Sequence, residues 1–401
     1  MYNAFMQINE IKNNENVLNL NNEAKPLVCL LNGEVLFPSG EFRKADLLIQ
    51  DKEIIAIDEI DQGNIPEFSE IQVVDAANKY ITTGLVDQHM HGGYGCNFNT
   101  ASEDEIMTLV KNLPKHGVVA ILPTIMTDSI ENIKIQIEKI KNVKKQLTDD
   151  CAQVIGIHLE GPFLNSKNKG IHPEDEILIP NLKNLATVID DEIKIVTFAP
   201  ELDENFEFTK FLTSKGIISS AGHTNASAEL IKEGQKYGIK QVTHLFNAMP
   251  KLHHREANVT TEALVNDEIY TEIIPDCVHV HPKMIELVLK IKPKNKVIFI
   301  SDCLPLAHSK SDSVIFGKQE IFKKDNQAVN KDGVMAGSIK FLSDSCPLLK
   351  QQLGLKFEDF ITFASTNPAK NLGISDDFKI EIGKSPKIVL WDKLTFETQL
   401  I

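Results

Sequence analysis

The sequence predicts a (β/α)8 barrel of the TIM type with a small β-sandwich domain formed by both chain termini. Three features carry that expectation. Short apolar, strand-like runs alternate with amphipathic helical stretches through the middle of the chain. Shorter alternating runs broken by Gly, Asn and Asp precede them, and a matching strand pattern with nothing helical after it closes the chain. At 401 residues the chain has room for a large barrel plus an attachment.

In chain order, residues 1–25 are polar and Asn-rich and read as an extension. They lack a basic stretch followed by an apolar run, so they are not expected to be a signal peptide. Between Pro26 and Tyr80 the runs VCLLNGEVLF, ADLLIQ, EIIAID and IQVVDA read as strands, and FKIEIGKSPKIVLWD answers them at the far end. Residues 26–80 plus 375–401 therefore form the expected β-domain, and residues 81–374 the barrel. Within the barrel the expected strands are ITTGLVD, VVAILPT, AQVIGIHLE, KIVTFAP, GIISSAGH, KQVTHLF, YTEIIPD and KVIFISD. Helical periodicity separates most of them, in EDEIMTLVKNL, SIENIKIQIEKIKNVKKQ, FEFTKFLTSK, SAELIKEGQKYG, PKMIELVLKI and FEDFITFAS.

Composition narrows the function. The 56 Asp and Glu residues outnumber the 42 Lys and Arg, a net charge of −14. A nucleic-acid partner needs clustered Lys and Arg and is not expected. Any anionic ligand must instead be held by a local cation against the overall field. No apolar stretch approaches the length of a membrane span. Six scattered cysteines, without a CxxC pair, suit free thiols in a reducing cytoplasm rather than a disulfide framework.

In a barrel of this kind the active site gathers at the C-terminal ends of the strands. Strand 1 ends in His89-Met90-His91, strand 3 in His158-Leu159-Glu160 and strand 5 in Gly222-His223. Strand 6 runs through His244, strand 7 is followed by Asp276 and His279, and strand 8 ends in Asp302. Any one of these is more often an ordinary surface or core residue. Together they converge at one end, and imidazoles with a carboxylate are the ligand set of a catalytic zinc-type site. Such a site suits amide hydrolysis, which needs a polarised carbonyl, an acidified water and a carboxylate to move the proton. Asp302, alone at the end of strand 8, is placed for that proton transfer. His279-Val280-His281 is a second His-x-His, and at most one of the two pairs is expected to bind metal. His116, His172 and His308 read as structural or solvated, and His253-His254 as part of a polar loop.

The runs GLVDQHMHGG, HLEGPF, GHTNA, THLFNAMP, HHRE, DCVHV, Ser301-Asp302 and MAGS, in that order, resemble the N-acetylglucosamine-6-phosphate deacetylase family of amidohydrolases. The resemblance runs from about Pro26 to the C-terminus, and HLEGPF with THLFNAMP is its most specific part. It implies that Glu160, His223 and His244 are metal ligands and Asp302 the catalytic acid/base. It further implies substrate contacts at Ile171, Asn247, Ala248, Asp276, His279, Met335, Ala336 and Gly337. Arg255 resembles the arginine that binds phosphate, often in the neighbouring subunit's site, which implies a homodimer. The intact His89-x-His91 implies a second metal on those two residues and Glu160, so that one or two divalent ions, zinc or iron, are expected per subunit.

Other amidohydrolases, such as cyclic-amide hydrolases, typically place a carboxylated lysine after strand 4. Here that strand ends Phe198-Ala199-Pro200-Glu201, without a lysine. A non-catalytic scaffold is the alternative of another class, but it tends to lose the ligands or the acid/base that this chain keeps together. N-acetylgalactosamine 6-phosphate, which differs at C4 alone, remains an open substrate at this stage.

Overall fold

The computed structural model describes residues 27–58 and 71–401. The extension expected over residues 1–25 lies outside the described residues. Two compact units are present, one made of the residues up to Thr83 with Ile374–Ile401, the other of Gly84–Gly373.

The smaller unit is a β-sandwich. Strands Glu53–Asp58, Asp46–Gln50, Leu27–Leu31 and Ile71–Asp75 form one sheet in that order. Thr398–Leu400, Ile388–Asp392, Lys79–Thr83, Glu34–Leu36 and Phe42–Lys44 form the other. The two ends of the chain meet where Ile388–Asp392 pairs antiparallel with Lys79–Thr83. Alternation turns Leu30, Leu47 and Ile54 from one sheet and Val35, Ile81 and Leu390 from the other into a shared core. Trp391 is fully buried and donates its indole N–H to Thr82 Oγ1 at 3.0 Å.

The larger unit holds the expected eight parallel strands: β1 (Leu85–Met90), β2 (Val118–Met126), β3 (Ile157–Glu160), β4 (Ile193–Phe198), β5 (Ile218–Ala221), β6 (Ile239–Val242), β7 (Tyr270–Ile273) and β8 (Val297–Phe299). Each pairs in parallel with the next from β1 through β8. The ring is drawn shut just beyond β8, where Asp302 N–H donates to His89 O at 2.8 Å and His91 N–H to Cys303 O at 2.9 Å. Near-continuous apolar runs in the sequence follow from burial on both faces, as in any barrel walled by helices.

The expected helices occur at Glu103–Asn112, Ile130–Lys144, Glu207–Ser214, Ala228–Gln235, Pro282–Ile291 and Phe357–Ile361. Ser102 opens the first with a capping box to Glu105, and Ser129 and Ser227 cap the second and fourth. Besides short helices such as Val259–Val265, two larger features were not among the expected elements. A helix spans Leu342–Leu353 although it contains Pro347. After β8, the strands Ser313–Phe316, Gln319–Lys324 and Gln327–Asn330 form an antiparallel sheet. Its turns, Gly317-Lys318 and Asp325-Asn326, each carry positive φ at both positions, the pattern of tight two-residue hairpins. Among the described residues, no helix is long and apolar enough to cross a membrane.

Candidate metal centre

Parallel strands that stop together present their next residues around one mouth, and the backbone turns sharply there. His223 (φ 49°), His244 (φ 30°) and Asp302 (φ 48°) all hold left-handed conformations just past β5, β6 and β8. Non-glycine residues in that region cost of order 1–3 kcal/mol each and concentrate at functional sites. Here the turns aim His223 and His244 at Glu160, the last residue of β3, and Asp302 at His89 and His91.

Glu160 Oε1 lies 2.9 Å from His244 Nε2, 3.1 Å from His223 Nε2 and 3.5 Å from His89 Nε2. Its Oε2 lies 3.2 Å from His91 Nε2 and 3.3 Å from His172 Nε2. Asp302 Oδ1 stands 3.2 Å from His91 Nε2 and 3.5 Å from His89 Nε2. The side chains thus form two adjoining buried groups, Glu160–His223–His244 and His89–His91–Asp302, the donor atoms of each within 4.8 Å of one another.

The far nitrogens decide what these rings can do. His223 Nδ1 is 2.8 Å from the Asn168 carbonyl, His91 Nδ1 is 3.2 Å from the Thr124 carbonyl, and His89 Nδ1 is 3.3 Å from Glu272 Oε2. An acceptor at Nδ1 fixes the tautomer that leaves Nε2 with a lone pair. Those lone pairs face carboxylate oxygens and each other, with His223 Nε2 only 3.1 Å from His244 Nε2. His89 Nε2 is buried without a hydrogen-bond partner. Acceptors facing acceptors in a buried site repel unless positive charge stands between them. The donor set and the orphaned nitrogen therefore fit a divalent cation of the imidazole-and-carboxylate type.

Burial lowers the His89 and His91 imidazoles, but Glu160 and Asp302 outweigh it and raise both, so the positive charge these carboxylates require comes either from protons on the rings or from a cation that displaces them. Burial pushes the Glu160 carboxyl up, but the charge of His89 and the hydrogen bonds of His172 and His223 outweigh it and hold it well below the ordinary range. Burial likewise raises Asp302, while the charge of His89 and the His91 hydrogen bond bring it down to about 2. Two ionised carboxylates thus sit side by side in the barrel mouth. His158, also at the end of β3, has both ring nitrogens engaged, by Gln88 O at 3.1 Å and Thr197 Oγ1 at 2.8 Å, and belongs to the wall.

Beneath His89 lies a polar floor. Glu272 is fully buried, and its Oε1 accepts from Gln88 Nε2 at 2.6 Å and Gln241 Nε2 at 2.8 Å. Its other oxygen faces His89 Nδ1, so a carboxylate orients the ring from behind.

Above the carboxylates a cavity of ≈ 230 Å³ opens, lined by Ile171, Asn247, Ala248, His279, Met335, Ala336 and Gly337. Asp276 stands behind His279: its Oδ2 is 2.8 Å from His279 Nδ1, while His279 Nε2 is 2.6 Å from the Ala336 carbonyl. Both ring nitrogens face acceptors. Burial pushes the imidazole pKa down, but the hydrogen bond and charge of Asp276 more than offset this and raise it, which favours the protonated ring. Gly337 must lack a side chain, because a Cβ there would lie 2.3 Å from Asp302 O. Arg255 is not brought to this cavity. It sits on an exposed loop with one guanidinium nitrogen 2.6 Å from His254 Nε2. His172, read from sequence as structural or solvated, lines the cavity beside Glu160, and so does Phe316, 5.1 Å from the His91 ring.

A parallel barrel with paired histidines and carboxylates at its C-terminal mouth defines a hydrolase of the amidohydrolase class, and the chain belongs to the amidohydrolase family, which it matches over residues 80–400. Members of this family are typically metal-dependent, and the two groups around Glu160 are the candidate ligands. Within the family the chain falls among the N-acetylglucosamine-6-phosphate deacetylases. It is 33% identical to the Bacillus subtilis (strain 168) enzyme of that name over 331 residues, 81% of this chain and 83% of that protein. It is 30% identical to the Danio rerio enzyme over 339 residues, 80% and 83% of the two chains. The solved structure of the Pasteurella multocida enzyme aligns with a TM-score of 0.85 at 26% identity, covering 93% of this chain and 97% of that one. That of the Thermotoga maritima enzyme aligns at 0.81 and 27%, with the same coverage.

The Glu272 contact yields a test. In Glu272→Gln the amide oxygen should stay with Gln88 and Gln241, turning its NH2 toward His89 Nδ1. His89 then keeps its proton on Nε2 and ceases to be a ligand. Metal affinity at the His89–His91 group should fall by roughly 10–100-fold, as for other partners that orient a ligand, with the Glu160–His223–His244 group retained. Metal-buffer titration reads the affinity and the histidine 15N shifts read the tautomer. Unchanged affinity with an unchanged tautomer would remove Glu272 from this role.

Proposed function

We propose that this chain hydrolyses the acetamide of N-acetylglucosamine 6-phosphate, giving glucosamine 6-phosphate and acetate. The observation that carries this reading is the pair of ionised carboxylates, Glu160 and Asp302, sharing His89 and His91 at the floor of a cavity that His279 also lines. The relatives' shared activity supplies the substrate.

Glu160, His223 and His244 would hold the first divalent ion, and His89 and His91, with Glu160, would hold a second; Asp302 lies within the second group of donors. Zinc or iron suits this donor set. When bound in such a site, a divalent cation supplies polarisation of an amide carbonyl and acidification of water. Asp302, ionised in the resting site, accepts the proton of the attacking water at its carboxylate. It returns that proton to the nitrogen as the C–N bond breaks, so that amine and acetic acid leave, the acid ionising to acetate as the amine takes up its proton, and the carboxylate is restored. His279 exchanges its Nε2–H from the Ala336 carbonyl onto the substrate, where it steadies the acetamide oxygen. Asn247 and Ala248 meet the sugar phosphate.

The phosphate needs a cation, and among the described residues lining the cavity there is neither Lys nor Arg. Arg255, exposed on its loop and suited to a two-pronged grip on phosphate, is offered to the site of a second copy, so the working assembly is a homodimer. The described cysteines are all free, which suits the cytoplasm as the place of action.

Acetate release measured side by side on the 6-phosphates of N-acetylglucosamine and N-acetylgalactosamine, and on both unphosphorylated sugars, tests the reaction. The glucosamine phosphate should be preferred, and Asp302→Asn should lower its turnover by about 10²–10⁴-fold with metal content intact. Preference for an unphosphorylated sugar or for the galactosamine epimer would replace the substrate. Near wild-type turnover in Asp302→Asn would replace the acid/base.

Arg255→Ala should raise KM for the phosphorylated sugar and leave the weak reaction of the unphosphorylated one unchanged. Mixed dimers of Arg255→Ala and Asp302→Asn subunits should recover activity, because one of their two sites has both an intact Asp302 and Arg255 of the partner subunit. Hybrid dimers that stay inactive would contradict action across the interface.

A further inference from the structure

His116, His308 and Asp344 lie together on the barrel unit, and none of them lines the catalytic cavity. We propose that they form a peripheral site for a divalent transition-metal ion of the zinc type, which ties down the segment carrying Asp302.

The donors are two imidazoles and a carboxylate, a set that zinc prefers and that calcium and magnesium do not. His308 Nε2 stands 2.8 Å from Asp344 Oδ2, and one donor atom from each of the three residues lies within 4.8 Å of the others. Ligands around zinc sit about 3.4 Å apart at bond lengths near 2.1 Å, so a small inward rotation of half-exposed rings completes the geometry. The Tyr94 hydroxyl, 2.5 Å from His116 Nε2, holds that ring and adds an oxygen beside the site. His116 and His308 are 4.4 Å apart between ring centres, and both pack on Phe341, His308 stacked at 4.8 Å with an interplanar angle of 4°. Two imidazoles this close repel when both are protonated. Burial, with His308 next in effect, pushes His116 down to about 4, so it is a neutral ligand at physiological pH.

The position gives the site a consequence. His91 N–H donates to Cys303 O at 2.9 Å, Tyr94 N–H to Ala307 O at 2.7 Å and Gly95 N–H to Pro305 O at 2.8 Å. These bonds zip the segment after β1 to the segment after β8. The zipper begins at His91 and Asp302, in the catalytic centre, and ends at Tyr94 and His308. Both end residues hold left-handed backbone, φ 54° and 50°, a conformation rare in non-glycine residues and a reason to look for function there. An ion on His308, His116 and Asp344 joins the far end of the zipper to the turn before β2 and to the helix Leu342–Leu353. It therefore clamps three separate segments and steadies the one that delivers Asp302.

The test uses enzyme with its catalytic centre already loaded, equilibrated against buffered zinc. Wild-type protein should take up one further zinc per chain, with a rise in Tm. His116→Gln and His308→Gln should each weaken that uptake by at least about 10-fold and abolish the rise in Tm, while keeping turnover in zinc-free buffer. Both rings lie outside the catalytic machinery, so normal turnover certifies the fold of each variant. Wild-type protein that takes up no further zinc, or variants that take it up as wild type does, would overturn the proposal. Neither result bears on the deacetylase reading, because the loaded centre and its activity are measured separately.

Discussion

Glu160 is a nearly fully buried carboxylate at the end of β3 with five imidazole nitrogens within 3.5 Å of its two oxygens. An isolated ionised carboxylate in such a place is strongly unfavourable, and in most proteins it takes up a proton instead. Here it is kept ionised by what surrounds it, and each surrounding group comes from a different part of the barrel. β1 brings His89 and His91, the turns after β5 and β6 bring His223 and His244, and the loop after β3 brings His172. The left-handed turns at His223 and His244 and the inward-facing rings satisfy that one charge, and Asp302, a second carboxylate, is balanced by the same His89 and His91.

The barrel meets this demand by making its floor polar. Gln88 on β1, Gln241 on β6 and Glu272 on β7 would ordinarily be apolar core positions. Asn371 completes their network with Nδ2 contacts of 2.6 Å to Gln241 Oε1 and 3.2 Å to Gln88 Oε1. Such a buried polar network holds its geometry through its mutual hydrogen bonds, and only Asn371 Oδ1 within it is left without a partner. The reward is orientation: Glu272 points His89 upward, and Asp276 does the same for His279. The reactive groups are positioned by charges one layer below them, and the helices and strands position those charges.

Much of this was legible in the sequence. The eight strands were readable because parallel, doubly buried strands are continuous apolar runs, and the ends of those runs carried His89, His91, Glu160, His223, His244 and Asp302. The antiparallel sheet Ser313–Asn330 was overlooked because QEIFKK is largely exposed and polar and QAVN, though mostly buried, is only four residues long. Its positive-φ turns, Gly317-Lys318 and Asp325-Asn326, were the available signal. With it went Phe316, whose ring meets His91. The helix Leu342–Leu353 was masked by Pro347, which reads as a breaker. His172 carried no signal of its own, since it lies in a loop far from any strand end and reaches Glu160 through tertiary folding alone. Arg255, expected from the sequence to bind phosphate, lies on an exposed loop and does not line the cavity.

The most direct measurement is anomalous diffraction at the zinc edge from crystals of zinc-reconstituted enzyme that turns over the phosphorylated sugar. The expected map has a peak roughly 2.0–2.2 Å from a Glu160 oxygen and from Nε2 of His223 and His244, absent in Glu160→Gln. Active crystals with no peak beside Glu160 would contradict the claim that a cation balances this carboxylate and drives the chemistry.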